Sequence, residues 1–312
     1  MRIAVGQLCS LLNPLANARV VNKLIDQAVK AKAQVLFLPE ASDYLGRNAA
    51  HLIALAQHLA RFVDDVRHHL RQANSDMRVS IGVHEPGATA DARIKNVHLW
   101  IEPDGTVAHS YQKIHLYDVN VPNGPILMES KAVEPGTKLV KPFAVGQSPF
   151  SVGLAVCYDI RFPEVALALR QHGANIVTFP SAFTTVTGAA HWQLLGKARA
   201  LDSQLYVVMA AQCGVHDVDA GVGGDDSTAA LGVPETPLPP KKKRQSYGNS
   251  LIVGPWGEVV AEGKCYDEDL SQDIDSDGDY YQLIVADLDP DHVATVRANM
   301  PLLDHRRKFT VE

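Results

Sequence analysis

The chain has 312 residues, 46% of them hydrophobic, enough to bury one large α/β core or two ordinary ones. A net charge of −6, from 35 acidic against 29 basic residues, supplies no basic field for nucleic acid and no grip on an anionic membrane. Apolar runs of strand length only, a Met1 that leads almost at once into Ile3-Ala4-Val5, and four widely spaced cysteines (Cys9, Cys157, Cys213, Cys265) argue against a membrane span, a targeting peptide and a disulfide framework, and so for a reducing, cytoplasmic setting, with a mitochondrial form as the alternative.

From the N-terminus the pattern predicts a strand over Arg2 to Gln7, a helix over about Ala18 to Ala33 and a strand over Gln34 to Leu38, ending in Pro39-Glu40-Ala41-Ser42. Val20, Val21, Leu24, Ile25, Ala28 and Val29 form the helix's apolar face. Leu52, Leu55, Leu59, Phe62, Val63, Val66 and Leu70 step by threes and fours, predicting one long amphipathic helix. Strands follow at Val79 to Val83, Val97 to Ile101 and Val107 to Tyr111, the last two joined as a hairpin through Pro103-Asp104-Gly105. Gln112-Lys113-Ile114-His115 comes directly after the third.

The second half repeats the logic of the first. Strand Gly153 to Val156, helix Pro163 to His172 and strand Asn175 to Phe179 end in Pro180-Ser181-Ala182-Phe183, again an apolar run followed by Pro-x-Ala. Two pseudo-symmetric βαβ halves are expected. A Thr/Gly stretch then leads into a helix through His191, Trp192 and Leu195 to about Ser203, followed by a strand over Tyr206 to Ala210. The Gly-, Asp- and Pro-rich segment at about 217–245 is read as a flexible insertion, and a second, acidic one spans about 264–281. Between them lies a hairpin over Asn249 to Gly254 and Glu258 to Ala261. A strand over Leu283 to Ala286 and a helix over Pro290 to Asn299 close the chain.

Several motifs lead nowhere. Asp273-Ile274-Asp275-Ser276-Asp277-Gly278 imitates half a calcium loop, yet its twelfth position is Ile284 rather than a bidentate Glu, and no flanking helix is expected. Gly221, Gly223 and Gly224 follow no strand, and Lys241 to Arg244 is read as a solvated loop. Thirteen histidines contain no HExxH, and no Cys-x-x-Cys pair occurs, so neither a metal nor any other cofactor is expected.

Cys157 falls where a strand ends and the chain turns toward the helix opened by Pro163-Glu164. A thiol is mostly protonated at neutral pH, with a reference pKa of about 8.5, so a nucleophilic cysteine needs a base or a nearby cation. Glu40 and Lys113 occupy strand-end positions of the same kind, and the carboxyl ends of strands in an open α/β sheet converge on one crevice.

Leu38-Pro39-Glu40-Ala41, Tyr111-Gln112-Lys113-Ile114-His115-Leu116 and Val156-Cys157-Tyr158-Asp159-Ile160-Arg161-Phe162-Pro163-Glu164 resemble the Glu, Lys and Cys motifs of the nitrilase (carbon-nitrogen hydrolase) superfamily. The resemblance covers nearly the whole chain apart from the two insertions. It implies a four-layer αββα sandwich in one domain over residues 1–312. It also implies Cys157 as nucleophile, Glu40 as general base, and Lys113 with the Tyr158 N–H as oxyanion stabilisers. Glu129, in Met128-Glu129-Ser130-Lys131, matches the family's second acid, which orients the lysine and the substrate amide.

Pro180-Ser181-Ala182-Phe183, Thr187-Gly188-Ala189-Ala190-His191-Trp192, Ala210-Ala211-Gln212-Cys213-Gly214 and Ser246-Tyr247-Gly248-Asn249-Ser250 are most similar to the Nit branch. That similarity implies hydrolysis of deaminated glutathione, splitting a 2-oxoglutaryl group from cysteinylglycine. An ω-amidase acting on 2-oxoglutaramate is the alternative, but that relative typically carries Pro-Glu-Cys-Phe where this chain has Pro39-Glu40-Ala41-Ser42. An anionic acyl group calls for a cationic or hydroxyl-rich pocket, for which Arg161, Thr184, Thr185 and Thr187 are candidates. Arg161 could instead pair with Asp159 or Glu164. The resemblance further implies a homodimer through the helices after Cys157 and around His191.

Three rival readings stand beside this one. A papain-like peptidase would enlist His115, an acyl transferase would share every residue named, and a non-catalytic scaffold would be expected to have lost Glu40, Lys113 or Cys157.

Overall fold

A computed structural model describes residues 1–89, 92–120, 126–216, 244–307 and 310–311. The first half runs β1 (Arg2–Leu8), α1 (Pro14–Lys30), β2 (Val35–Phe37), α2 (Ala49–Ala56), α3 (Leu59–Gln72), β3 (Arg78–Glu85), β4 (Lys95–Ile101) and β5 (Val107–Gln112). A small hairpin, β6 (Asp118–Asn120) with β7 (Ile126–Met128), leads through a 3-10 turn at Glu129–Lys131 into the second half. There follow β8 (Phe143–Ala144), β9 (Ser151–Leu154), a 3-10 turn at Cys157–Arg161, α4 (Pro163–Gln171), β10 (Ile176–Thr178), α5 (Thr185–Ser203) and β11 (Tyr206–Met209). Two hairpins, β12 (Cys213–His216) with β13 (Arg244–Tyr247) and β14 (Leu251–Val253) with β15 (Val259–Glu262), precede β16 (Tyr281–Asp287), α6 (Pro290–Asn299) and α7 (Leu302–His305).

The two halves build matching sheets. One has the order β16-β1-β2-β3-β4-β5 and the other, read in the corresponding direction, β8-β9-β10-β11-β14-β15. In each, an antiparallel edge strand is followed by three parallel strands and then two antiparallel ones. β1 thus corresponds to β9 and β2 to β10, the pairing expected from the repeated Pro-x-Ala endings.

Period-two alternation assigns the faces. Ile3, Val5, Val35 and Phe37 point toward the second sheet and pack in one core with Val152, Leu154, Ile176 and Val207. Ala4, Leu36 and Leu38 point the other way, onto Val21, Leu24 and Ile25 of α1 and Phe62, Val66 and Leu70 of α3. Helices α4 and α5 cover the second sheet through Leu169 and Trp192, which completes an αββα sandwich.

Helix α1 begins earlier than expected because Asn13 caps it, accepting a hydrogen bond from the Leu15 N–H, with Pro14 in the first turn. The single helix expected over Leu52 to Leu70 is two, broken at Gln57 and His58. Leu55 and Ala56 join Leu12, Tyr44 and Ile94 in a separate cluster, while α3 serves the sheet core, so the break lets one apolar stripe face two surfaces. Arg244 and Gln245, expected in the first insertion, are strand residues opposite His216 and Val215; residues 217–243 lie outside the described ones.

Within 264–281, Lys264 pairs with Asp273 at 2.7 Å. The carboxylates of Asp275, Asp277 and Asp279 converge on the Lys23 ammonium of α1 at 2.6, 2.7 and 2.9 Å. They are the one group of described residues arranged as a metal could use, and the lysine occupies their centre. Among the described residues no helix is long and apolar enough to cross a membrane.

Candidate active site

Cys157 lies just past β9 in the left-handed region, with φ at +46°, its N–H donating to Pro180 O at 2.9 Å. A non-glycine residue holds that conformation only where its surroundings enforce it. Buried Asp159 does so, accepting the Val156 N–H at 2.9 Å, the Tyr111 hydroxyl at 2.7 Å and the His115 N–H at 3.1 Å, and contacting His115 Nδ1 at 2.7 Å. Cysteine turn and lysine strand are thereby bolted together. His115 is paired with Asp159 and stacked on Phe162 with ring centroids 3.7 Å apart, and the ionisable groups that act on the Cys157 thiol are Glu40 and Lys113 rather than His115, which disfavours the peptidase alternative.

Glu40 follows β2, with Ala41 beyond it at φ +58°. Lys113 follows β5 and is 2% exposed. Its ammonium donates to Glu40 Oε1 at 2.8 Å and to both Glu129 oxygens at 3.0 Å. Glu129 opens its 3-10 turn and is held by the Tyr117 N–H at 2.7 Å. Glu40 Oε2 accepts the Ala182 N–H at 3.1 Å, and the same N–H favours the ionised form of Cys157, which brackets the sulfur beside that oxygen.

The electrostatics divide the roles. Burial alone would raise the Glu40 carboxyl, but the charge and hydrogen bond of Lys113, with hydrogen bonds from Cys157 and Asn96, override it and hold Glu40 below the usual carboxylate range. Burial and the Glu40 charge push the Cys157 thiol well up, against the opposing pull of Lys113. Lys113 is held above its ordinary value, Glu129 and Glu40 outweighing burial. The resting arrangement is a neutral thiol beside an ionised carboxylate, which suits base-assisted attack.

Of the expected pocket residues, Tyr158 and Arg161 come together: the guanidinium lies 5.8 Å from the ring centroids of Tyr158 and Phe183, and its Nη2 is 3.2 Å from His191 Nδ1. Arg161 pairs with neither Asp159 nor Glu164 among the described residues. Thr184 caps α5, its hydroxyl accepting from the Thr187 N–H at 3.3 Å and lying 2.9 Å from the Thr187 hydroxyl. Thr185 is the helix's first residue. Thr187 also reaches Tyr117, whose ring stands edge-on to Tyr158 at 5.0 Å.

Tyr117, Phe183, Asn96 and Arg244 were missed from sequence. In the sequence Asn96 is an ordinary polar alternate of its strand, and its burial emerges only from the fold. Arg244 donates to Gly46 O at 3.2 Å. The charges of Glu40, Glu129 and Cys157 act on its guanidinium, which puts a second cation in the field of the site.

The model of the family described as carbon-nitrogen hydrolase matches residues 2–298. The Schizosaccharomyces pombe protein named "Probable hydrolase nit2" is 40% identical over 304 residues, 96% of this chain and 95% of that one. The Homo sapiens deaminated glutathione amidase is 35% identical over 308 residues, 98% of this chain and 82% of that protein. The solved structure of the Caenorhabditis elegans NitFhit protein superposes with a TM-score of 0.78 at 34% identity, over 98% of this chain and 65% of that longer one.

Proposed function

This chain belongs to the carbon-nitrogen hydrolase family, and on that footing we propose that it cleaves the amide of deaminated glutathione to 2-oxoglutarate and cysteinylglycine through a thioester on Cys157. As a member of that family it is a hydrolase of carbon–nitrogen bonds other than peptide bonds. The observation that carries the reading is one ammonium between two carboxylates, with the second oxygen of Glu40 beside the Cys157 sulfur.

Glu40 takes the thiol proton as the sulfur lone pair forms the C–S bond, and the carbonyl π electrons pass to oxygen. Lys113 Nζ and the Tyr158 N–H stabilise that oxyanion, the latter as an early N–H of a turn whose first donors lack intrahelical partners. The oxyanion collapses, the C–N bond breaks, and the proton held by Glu40 leaves with the amine. Water then attacks the thioester, giving its proton to Glu40, and the sulfur recovers that proton as the acid departs. Glu129 orients Lys113 and the substrate amide.

Arg161, with the Thr184 to Thr187 corner and Arg244 as a second cation, receives the anionic ends of the substrate. The same reading includes one catalytic domain, a homodimer through α4 and α5, where Val186 and Leu194 are exposed, and a cytoplasmic setting, supported by four unpaired cysteines.

The test is mass spectrometry of the intact enzyme quenched during turnover of deaminated glutathione and, separately, of 2-oxoglutaramate. A 2-oxoglutaryl adduct on Cys157 with faster turnover of the first substrate is expected. Faster turnover of the second makes the enzyme an ω-amidase, and a transferred acyl product in place of 2-oxoglutarate makes it a transferase.

A further inference from the structure

We propose that Asn96 is a positioning residue that bridges the carboxylates of Glu40 and Glu129 and commits Glu40 to the cysteine through a single oxygen. The inference rests on Glu40 being the base in the reading above.

Asn96 lies on β4, 2% exposed, on the inner sheet face with His98 and Trp100, while Val97, Leu99 and Ile101 face the helices. Its Nδ2 donates to Glu40 Oε1 at 2.7 Å and to Glu129 Oε1 at 3.3 Å, so both amide hydrogens are spent on carboxylates. Its backbone carbonyl accepts the Lys113 N–H at 2.9 Å, which fixes the lysine strand to the same residue.

The two carboxylates dictate which way the amide faces, because a flipped group would set Oδ1 against two anions. Its Oδ1 has no hydrogen-bond partner among the described residues. A buried acceptor without a partner is costly and rare, and here it is the consequence of aiming the NH2 at the carboxylates.

With Asn96 Nδ2 and Lys113 Nζ both on Oε1, Glu40 keeps Oε2 toward Cys157, steered by the Ala182 N–H. The ionisable groups facing Glu40 are Lys113 from β5, Cys157 after β9, and, in the wider field of the site, Arg244 from β13; Glu129 lies across the same ammonium. Asn96 is a neutral member of this set that stabilises the charged form of two carboxylates at once.

The test is the pH profile of kcat and kcat/KM for Asn96→Ala and the isosteric Asn96→Asp, with Glu40→Gln and melting temperatures measured beside them. Loss of the donor is expected to lower kcat about 100-fold with KM within about threefold, and to move the acid limb of kcat/KM up by about one pH unit, more for Asp than for Ala. Asn96→Ser, which keeps one donor hydrogen in a smaller volume, is expected between wild type and Ala even where the Asp variant does not fold. Variants that melt lower but keep the wild-type limb and kcat overturn the inference. Activity retained by Glu40→Gln would instead overturn the assignment of the base.

Discussion

Replacing Gly82 by alanine tests how closely the geometry of Glu40 is dictated from behind. Gly82, on β3, donates to Pro39 O at 3.0 Å and accepts the Ser42 N–H at 2.9 Å, so it grips the loop on both sides of the carboxylate residue. A Cβ there would stand 2.6 Å from Glu40 Cα, 2.8 Å from Pro39 O and 3.0 Å from Glu40 N. All three are backbone atoms, with no flexible side chain to swing away. Since carbon–carbon contact needs about 3.5 Å, the Glu40 backbone must move by about 1 Å. A displacement of that size at a reacting group costs about 100-fold in kcat, or about 2.7 kcal/mol of transition-state stabilisation, while the overpacking costs about 1–3 kcal/mol of stability.

The control is Gly153→Ala on β9, where the added methyl meets Leu169 side-chain carbons at 3.0–3.1 Å, which can give way. Steady-state kinetics on deaminated glutathione and melting curves are measured on both variants. Gly82→Ala is expected to lose kcat and some stability, and Gly153→Ala stability only. Wild-type kcat in Gly82→Ala, or equal kcat losses in the two, refutes the claim that β3 sets the position of Glu40.

Cys157→Ser and Glu40→Gln should each lower kcat by about 1,000-fold or more, with no acyl adduct in the serine variant by intact mass; full turnover by Cys157→Ser would remove the cysteine from the chemistry. Arg161→Ala should raise KM for anionic acyl substrates more than for neutral ones, and equal effects in the paired kinetics would remove Arg161 from the pocket. Burial holds His98 neutral, its pKa pushed down to about 4, so between about pH 6.5 and pH 4 the unfolded chain binds a proton the folded one refuses, and stability falls as pH falls. Urea titrations at pH 7 and 4.5 should differ by about 2.4 kcal/mol from this residue, a loss absent in His98→Gln; His216, pushed down to about 3, adds a separate loss of the same sign, so equal pH sensitivity in wild type and His98→Gln would refute the role of His98.

Glu40, Lys113 and Cys157 were readable because each comes within three residues of the end of a strand, β2, β5 and β9, and strand order turns that local position into proximity. Asn96 and His98 were not, since on β4 they look like ordinary polar alternates. Only the register with β3, His84 against Asn96 and Gly82 against His98, places them on the inner face. Arg244 was hidden in a basic run whose strand pairing with His216 is non-local. The break between α2 and α3 left no trace in the apolar spacing, because both pieces keep their stripe while turning it toward different clusters. The start of α1 was written in Asn13-Pro14, a cap signal overshadowed by the apolar period that begins further on.

Lys23 carries a consequence of its own. Three aspartates whose oxygens lie within 4.8 Å of one another would repel if left alone, and proteins commonly quench such triads with a borrowed divalent ion. Here one positive charge, tethered to α1, offsets part of that repulsion and travels with the fold. The lysine ties the acidic loop to the first helix of the chain, so the loop's shape and the seating of α1 are set by the same three contacts.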